Sequence, residues 1–282
     1  LTVTTLVAVG DDVELTGDPD ARYPIYSVTK TAVAAAVLLL VREGAVDLDS
    51  VRRLLDHTSG VRDYASLPEY HEAVRTRPGC AWDDDELLAR TAAAGHSFEP
   101  GQGWEYSNTG YLLLCRLLDE QEGLAAFLPR VGLAEATVAQ RAEDFAVAVP
   151  APSALLLDGV EDVRGVYDPR WVGHRTLVAR AGDLLGFWRD LPAEMLDPRT
   201  FVPVGADASG FVRPSYGLGV MADPEHPLGT VVGHGGGGPG YATAVLAVPQ
   251  ADAVAIVLAA DEQYPAQSTA LELLTRRLRS SA

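Results

Sequence analysis

Ser27 and Lys30 stand three residues apart in Ser27-Val28-Thr29-Lys30, at the start of a long apolar run. On a helix that spacing puts both side chains on one face, within reach of an Oγ–Nζ hydrogen bond. A hydroxyl becomes a useful nucleophile when a neighbouring base takes its proton. A lysine can be that base if its pKa falls from about 10.4 toward 7, which corresponds to roughly 4 to 5 kcal/mol of preference for the neutral amine. An apolar helix start at the positive end of the helix dipole pushes in that direction. The competing reading is ordinary: Ser27 caps the helix and Lys30 reaches the surface.

Two further groups could join this pair. In Tyr106-Ser107-Asn108, a phenol beside a lysine can pass a proton to a leaving group, and an amide can hold a substrate carbonyl. The plain alternative is a packed Tyr and an Asn that caps the helix opening at Thr109. In His234-Gly235-Gly236-Gly237-Gly238-Pro239-Gly240, consecutive glycines let backbone N–H groups approach a ligand, as an oxyanion hole at a strand edge requires. Here the alternative is a flexible hairpin loop. A lipase-type reading of His-Gly-Gly-Gly lacks the Gly-x-Ser-x-Gly elbow that would accompany it.

These residues need a scaffold. Thr2 to Val9 and Val13 to Thr16 read as a hairpin, and Tyr26 to Arg42 as a buried helix that Gly44 stops. Residues 51–55, 83–94 and 109–120 read as short helices, whereas 125–172 has weak periodicity. Helices follow at about 181–191 and near 194–196. Residues 229–232, 241–248 and 253–260 read as strands, the first two linked by a Gly-rich loop, and 262–279 as a closing helix. Hairpins at both ends with helices between predict an α+β fold: an antiparallel β-sheet from the N- and C-terminal segments, flanked by helices, with an inserted mostly helical region.

With 22 Lys plus Arg against 39 Asp plus Glu, the net charge of -17 repels phosphate backbones and anionic lipid surfaces, so neither nucleic acid nor membrane is an expected partner. The longest strongly apolar stretch, Thr31 to Val41, falls short of the roughly 20 residues that span a bilayer. Cys80 and Cys115 form neither a disulfide framework nor a metal-ligand cluster, and no metal or cofactor is expected. A cytoplasmic location is the default expectation, although a chain beginning at Leu1 is compatible with a removed signal segment.

Taken together, the three motifs in this order resemble the serine β-lactamase and penicillin-binding-protein superfamily, in its branch of class C β-lactamases, DD-peptidases, D-aminopeptidases and family VIII esterases. The resemblance extends over Ile25 to Thr31, Leu54 to Gly60 with His57-Thr58-Ser59-Gly60, Pro100-Gly101 ahead of Tyr106-Ser107-Asn108, Tyr216-Gly217-Leu218-Gly219, and Gly233 to Gly236. It implies one catalytic domain over 1–282, with an α/β part at about 1–46 and 200–282 and a mostly helical part at about 47–199. It further implies that Ser27 is acylated, that Lys30 and Tyr106 share proton transfer, and that Asn108, His234 and Gly236 bind substrate. The N–H groups of Ser27 and Gly237 would form the oxyanion hole, and His57 would be structural.

Two departures refine that expectation. The third motif of β-lactamases usually begins with Lys, and here it begins with His234, mostly neutral near its ordinary pKa of about 6.5. Carboxylate recognition should therefore be weaker and pH-dependent. The segment between Leu48-Asp49 and Leu54-Leu55 is also short for the family, which leads to the expectation of a trimmed active-site rim. The resulting expectation is a serine hydrolase acting through an acyl-enzyme on an ester or amide, with a small-molecule or peptide-like acyl substrate. The alternatives are an acyltransferase of small-molecule biosynthesis, a β-lactamase or DD-peptidase, and an inactive binding homologue.

Overall fold

A computed structural model describes residues 1–205 and 210–280. The strands best marked by β-branched residues form the centre of the sheet: β1 (Val3–Val9), β10 (Tyr241–Val248) and β11 (Ala253–Ala259). Leu6 pairs with Ile256, and Val245 with both Ile256 and His234. With β2 (Asp12–Thr16), β6 (Val202–Pro203), β7 (Ser215–Tyr216), β8 (Met221–Asp223) and β9 (Val231–Gly238), these make one antiparallel sheet in the order β2-β1-β11-β10-β9-β8-β7-β6. Sequence-distant ends thus lie side by side, as the α+β reading predicts.

β11 shows why the sheet is covered on both faces. Its side chains alternate, as a strand's must: Val254, Ile256 and Leu258 enter one core, and Ala253, Ala255 and Val257 the other. The closing helix α8 (Ala266–Ser280) covers the second with Ala266, Ala270 and Leu274. The first holds α1 (Thr29–Arg42), whose run Ala32 to Leu38 is buried on every side, and α7 (Ala181–Arg189). Its small side chains allow close approach of neighbouring backbone.

Between these halves lie α2 (Leu48–Leu55), α3 (Pro68–Thr76), α4 (Asp84–Ala93), α5 (Asn108–Asp119) and α6 (Leu124–Phe127). The region also contributes β4 (Thr137–Ala139) and β5 (Thr176–Ala179), which join β3 (Tyr23–Pro24) in a second sheet ordered β3-β5-β4. No helix among the described residues is long and apolar enough to cross a membrane. Cys80 is exposed and Cys115 buried, both as free thiols.

Two local expectations change. The glycines after His234 are not a loop: they continue β9 to Gly238, pairing with β10, and only Pro239-Gly240 turn. Ser27 is not in the α-helix either. Tyr26–Val28 form one 3-10 turn ahead of α1, and no side chain caps either element's N-terminus.

Candidate active site

Ser27 sits where three segments clamp one turn. Ile25 N–H donates to Leu177 O at 2.8 Å, Tyr26 N–H to Thr176 Oγ1 at 2.9 Å, and the Tyr26 hydroxyl to Pro239 O at 2.7 Å. Tyr26 adopts φ 43°, a left-handed conformation that costs a bulky residue about 1 to 2 kcal/mol. The strain persists because strand β5 and the β9–β10 turn over-determine the backbone, and it holds the half-buried Ser27 toward a cavity of about 370 Å3.

Lys30 follows one turn later and is fully buried. Its Nζ lies 3.1 Å from Ser27 Oγ, 2.7 Å from Asn108 Oδ1 and 2.9 Å from His174 Nε2. Burial holds its pKa well below the usual lysine value, opposed by Asp63 and Cys115. Asn108, the first residue of α5, is oriented in turn: its Nδ2 donates to Asp63 Oδ2 at 3.0 Å and its backbone N–H to Asp63 Oδ1 at 3.1 Å. Ser107, not Asn108, caps this helix by accepting from Gly110 N–H at 3.0 Å. That frees the Asn108 amide for the lysine.

Tyr106 precedes the cap and faces Ser27, whose hydroxyl lowers its pKa against the larger effect of burial. Its ring centroid is 4.8 Å from Lys30 Nζ. Burial raises its pKa, so it stands as a neutral phenol. His57 supports it from behind: its ring packs against Tyr106 with centroids 4.4 Å apart and planes tilted by 40°, and its Nδ1 accepts from Ser107 N–H at 3.1 Å.

The opposite end of the site is built by β9. A Cβ on Gly236 would lie 2.3 Å from Ile25 O, and one on Gly238 2.5 Å from the Tyr26 ring, so these positions are glycine because the strand crosses directly over the Ser27 turn. Gly237 has open space instead and lines the cavity with Ser27. Neither His234 nor Gly236 lines that cavity. His234 is buried; its Nδ1 is 2.6 Å from Gly235 O and its Nε2 2.9 Å from the Tyr216 hydroxyl. The carbonyl can only accept, so Nδ1 carries the hydrogen and Nε2 accepts from Tyr216. Burial and Lys30 push its pKa down to about 3. The titration near 6.5 expected from the sequence is thereby corrected: His234 stays neutral because desolvation outweighs its one favourable carbonyl contact.

Sequence reasoning singled out Ser27, Lys30, Tyr106, Asn108 and Gly237, and the fold brings them together. It missed Asp63 and His174. Asp63 looks like a turn cap, which it also is, accepting from Ala65 N–H at 3.1 Å. His174 is a lone histidine before a strand, with no local signal at all. A larger cleft of about 870 Å3 lies elsewhere, among charged groups such as Asp84, Asp119 and Arg116, and contains none of these reacting groups.

A strained turn presenting a serine to a buried lysine, a phenol and a glycine strand defines the β-lactamase-like class of site. The Beta-lactamase family profile matches residues 7–278, and the chain belongs to that family. It is 26% identical over 271 residues to Penicillin-binding protein 4* of Bacillus subtilis (strain 168), covering 80% of this chain and 58% of that protein. Over 117 residues it is 35% identical to Esterase EstB of Burkholderia gladioli, covering 31% of this chain and 29% of the esterase. The chain thus spans less than two thirds of either relative. A D-stereospecific amidohydrolase from Streptomyces sp. shares the fold, with a TM-score of 0.84 at 24% identity over 96% of this chain and 93% of the other.

Proposed function

We propose that this chain is a serine hydrolase that works through an acyl-enzyme at Ser27, on ester or amide substrates with an uncharged, apolar acyl group. The observation that carries this reading is the Ser27 hydroxyl 3.1 Å from the buried Lys30 amine, with the Tyr106 ring 4.8 Å from the same amine: burial lowers the lysine pKa and raises that of the phenol, favouring the neutral form of each. The two protonation states suit opposite tasks. Ser27 Oγ attacks the acyl carbon as its proton passes to Lys30, and the bond to the leaving group breaks as Tyr106 supplies a proton to it. The Lys30 ammonium then returns a proton to the Tyr106 phenolate, leaving an ester on Ser27 for water to cleave. The N–H groups of Ser27 and Gly237 are the donors for the oxyanion, each worth on the order of 3 kcal/mol in such sites.

The substrate class rests on the cavity walls. Tyr70, Tyr167, Val74 and Val172 give it an apolar lining, and Leu155 and Leu156 expose further apolar surface at its edge. No Asp or Glu is among its described lining residues, which disfavours a free ammonium on the substrate. Arg75, the one Arg or Lys among the described lining residues, is paired with Glu72 and Asp158, and His234 at the β9 end is held neutral by burial, which disfavours a carboxylate.

Incubation with a fluorophosphonate, followed by peptide mass analysis, tests the reading. Wild type gains the adduct mass on Ser27, and Ser27→Ala gains none. An unmodified wild type, under conditions that label a control esterase, overturns it. Nitrocefin should be turned over far more slowly than a p-nitrophenyl ester of a hydrophobic acid.

A further inference from the structure

We propose that His174 is a positioning residue that occupies one N–H of Lys30 and thereby aims the lysine lone pair at Ser27. This role builds on the acyl-enzyme reading, but the contact itself can be tested without it.

The argument is a count of donors and acceptors. A neutral amine has two N–H bonds and one lone pair, and Lys30 has three partners within 3.1 Å. Asn108 must accept, because its NH2 group is committed to Asp63. If His174 also accepts through Nε2, both N–H bonds are used and the lone pair is left for the Ser27 O–H. If Nε2 carried the hydrogen instead, it would donate to that lone pair and remove the base from the serine. The tautomer therefore decides whether Lys30 can act. Nδ1 of His174 lies 3.5 Å from the Tyr64 hydroxyl, whose oxygen already takes the Gly173 N–H at 3.0 Å. In the proposed arrangement the His174 hydrogen is on Nδ1, on the side of this oxygen, which leaves Nε2 as the acceptor; the opposite tautomer, with the Tyr64 O–H donating to Nδ1, is the one the lysine titration would expose. When the Ser27 O–H bond breaks and the third N–H bond forms, the ammonium finds acceptors in Asn108, His174 and the Ser27 oxygen.

The backbone around His174 is built to hold the ring there. Arg175 adopts φ 69°, unfavourable for a side chain of its size. Its guanidinium donates to Asp84 on α4 at 2.8 and 3.1 Å, to Asp119 on α5 at 2.9 Å, and to Gly173 O at 2.7 Å. Cys115 Sγ donates to His174 O at 3.3 Å. The ring is buried, and burial together with Lys30 holds it neutral.

Lys30 is the only lysine in the chain, so protein labelled with 13C at lysine Cε gives one resonance, and its titration reports this amine alone. The titratable groups facing it are Tyr106 and Tyr111 by their rings, Asp63 behind Asn108, Cys115 and His174, with His57 and His234 farther off. In His174→Leu, which removes the acceptor and keeps the space dry, the Lys30 midpoint should fall by about one pH unit, as expected for losing a hydrogen bond to a charged group. The pH-independent rate of Ser27 labelling should fall about tenfold or more. In His174→Gln, which restores an acceptor near Nε2, both should return to within about threefold in rate and close to the wild-type midpoint. An unchanged midpoint and rate in His174→Leu, or a Gln variant no better than Leu, overturns the proposal. If wild-type Ser27 cannot be labelled yet the midpoint moves and recovers as described, the hydrolase reading fails and the His174–Lys30 contact stands.

Discussion

Lys30 and His234 are both buried, both titratable, and sit at opposite ends of the site, yet they differ in what their hydrogen bonds leave over. His234 has one nitrogen on Gly235 O and the other on Tyr216, so nothing remains to offer a substrate. Lys30 has acceptors for two of its hydrogens and keeps a third contact on the Ser27 hydroxyl. Burial moves both pKa values downward. Only at Lys30 does the neutral form leave a free lone pair beside a nucleophile. Perturbed titration marks candidate sites, but the open valence separates a reacting group from a structural one.

The largest expected effect that sharpens this contrast is at Tyr106. Tyr106→Phe removes the phenol and keeps the ring on His57, and should lower turnover of an amide substrate by roughly 10² or more. A p-nitrophenyl ester, whose leaving group departs without a proton, should lose considerably less. Equal losses for both substrates would show that Tyr106 acts on Ser27 and not on the leaving group.

A smaller effect separates shape from chemistry along β9. Gly238→Ala puts a Cβ 2.5 Å from the Tyr26 ring, and overpacking of that kind destabilises by about 1 to 3 kcal/mol. Its thermal midpoint should drop by several degrees, and Ser27 labelling should slow as the strained turn shifts. Gly237→Ala meets no atom within 4 Å and lies on the cavity wall, so its midpoint should stay at wild type while KM rises. Equal melting shifts in the two variants would contradict the strand geometry.

Legibility in the sequence followed the same division. β10 and β11 were readable because their β-branched and apolar runs need burial on both faces, and α1 because its apolar run has no polar side. Ser27, Lys30 and Tyr106 were readable because local motifs carry them. His174 and Asp63 were not, since each acts through a partner 144 or 45 residues away, and nothing in their own neighbourhood encodes that contact. The glycine run misled for a physical reason: glycine weakens a strand on its own, and here close packing over Ile25 and Tyr26 selects it. Strands β6 to β8 were too short to show alternation, and α3 was too polar to show a face.

The smallest expected effect concerns His234 and acid. Its folded pKa of about 3 lies below its ordinary 6.5, so the unfolded chain binds the proton more readily between those values. Its contribution to stability is therefore fully present above pH 6.5 and is lost as pH falls toward 3, by about 1.4 kcal/mol for each pH unit. His57 and His174, held well below their usual values by burial, add to the same acid limb. His234→Gln keeps a donor and an acceptor, and should flatten the fall in urea stability between pH 6.5 and 4.5 by one proton's share. At neutral pH its ester turnover should stay within about threefold of wild type, and neutral and anionic esters should show the same pH dependence of KM in the wild type. A slope unchanged in His234→Gln would mean that His234 is already charged in the folded protein. It would then be a buried cation at the β9 end of the site, and the contrast with Lys30 would fail.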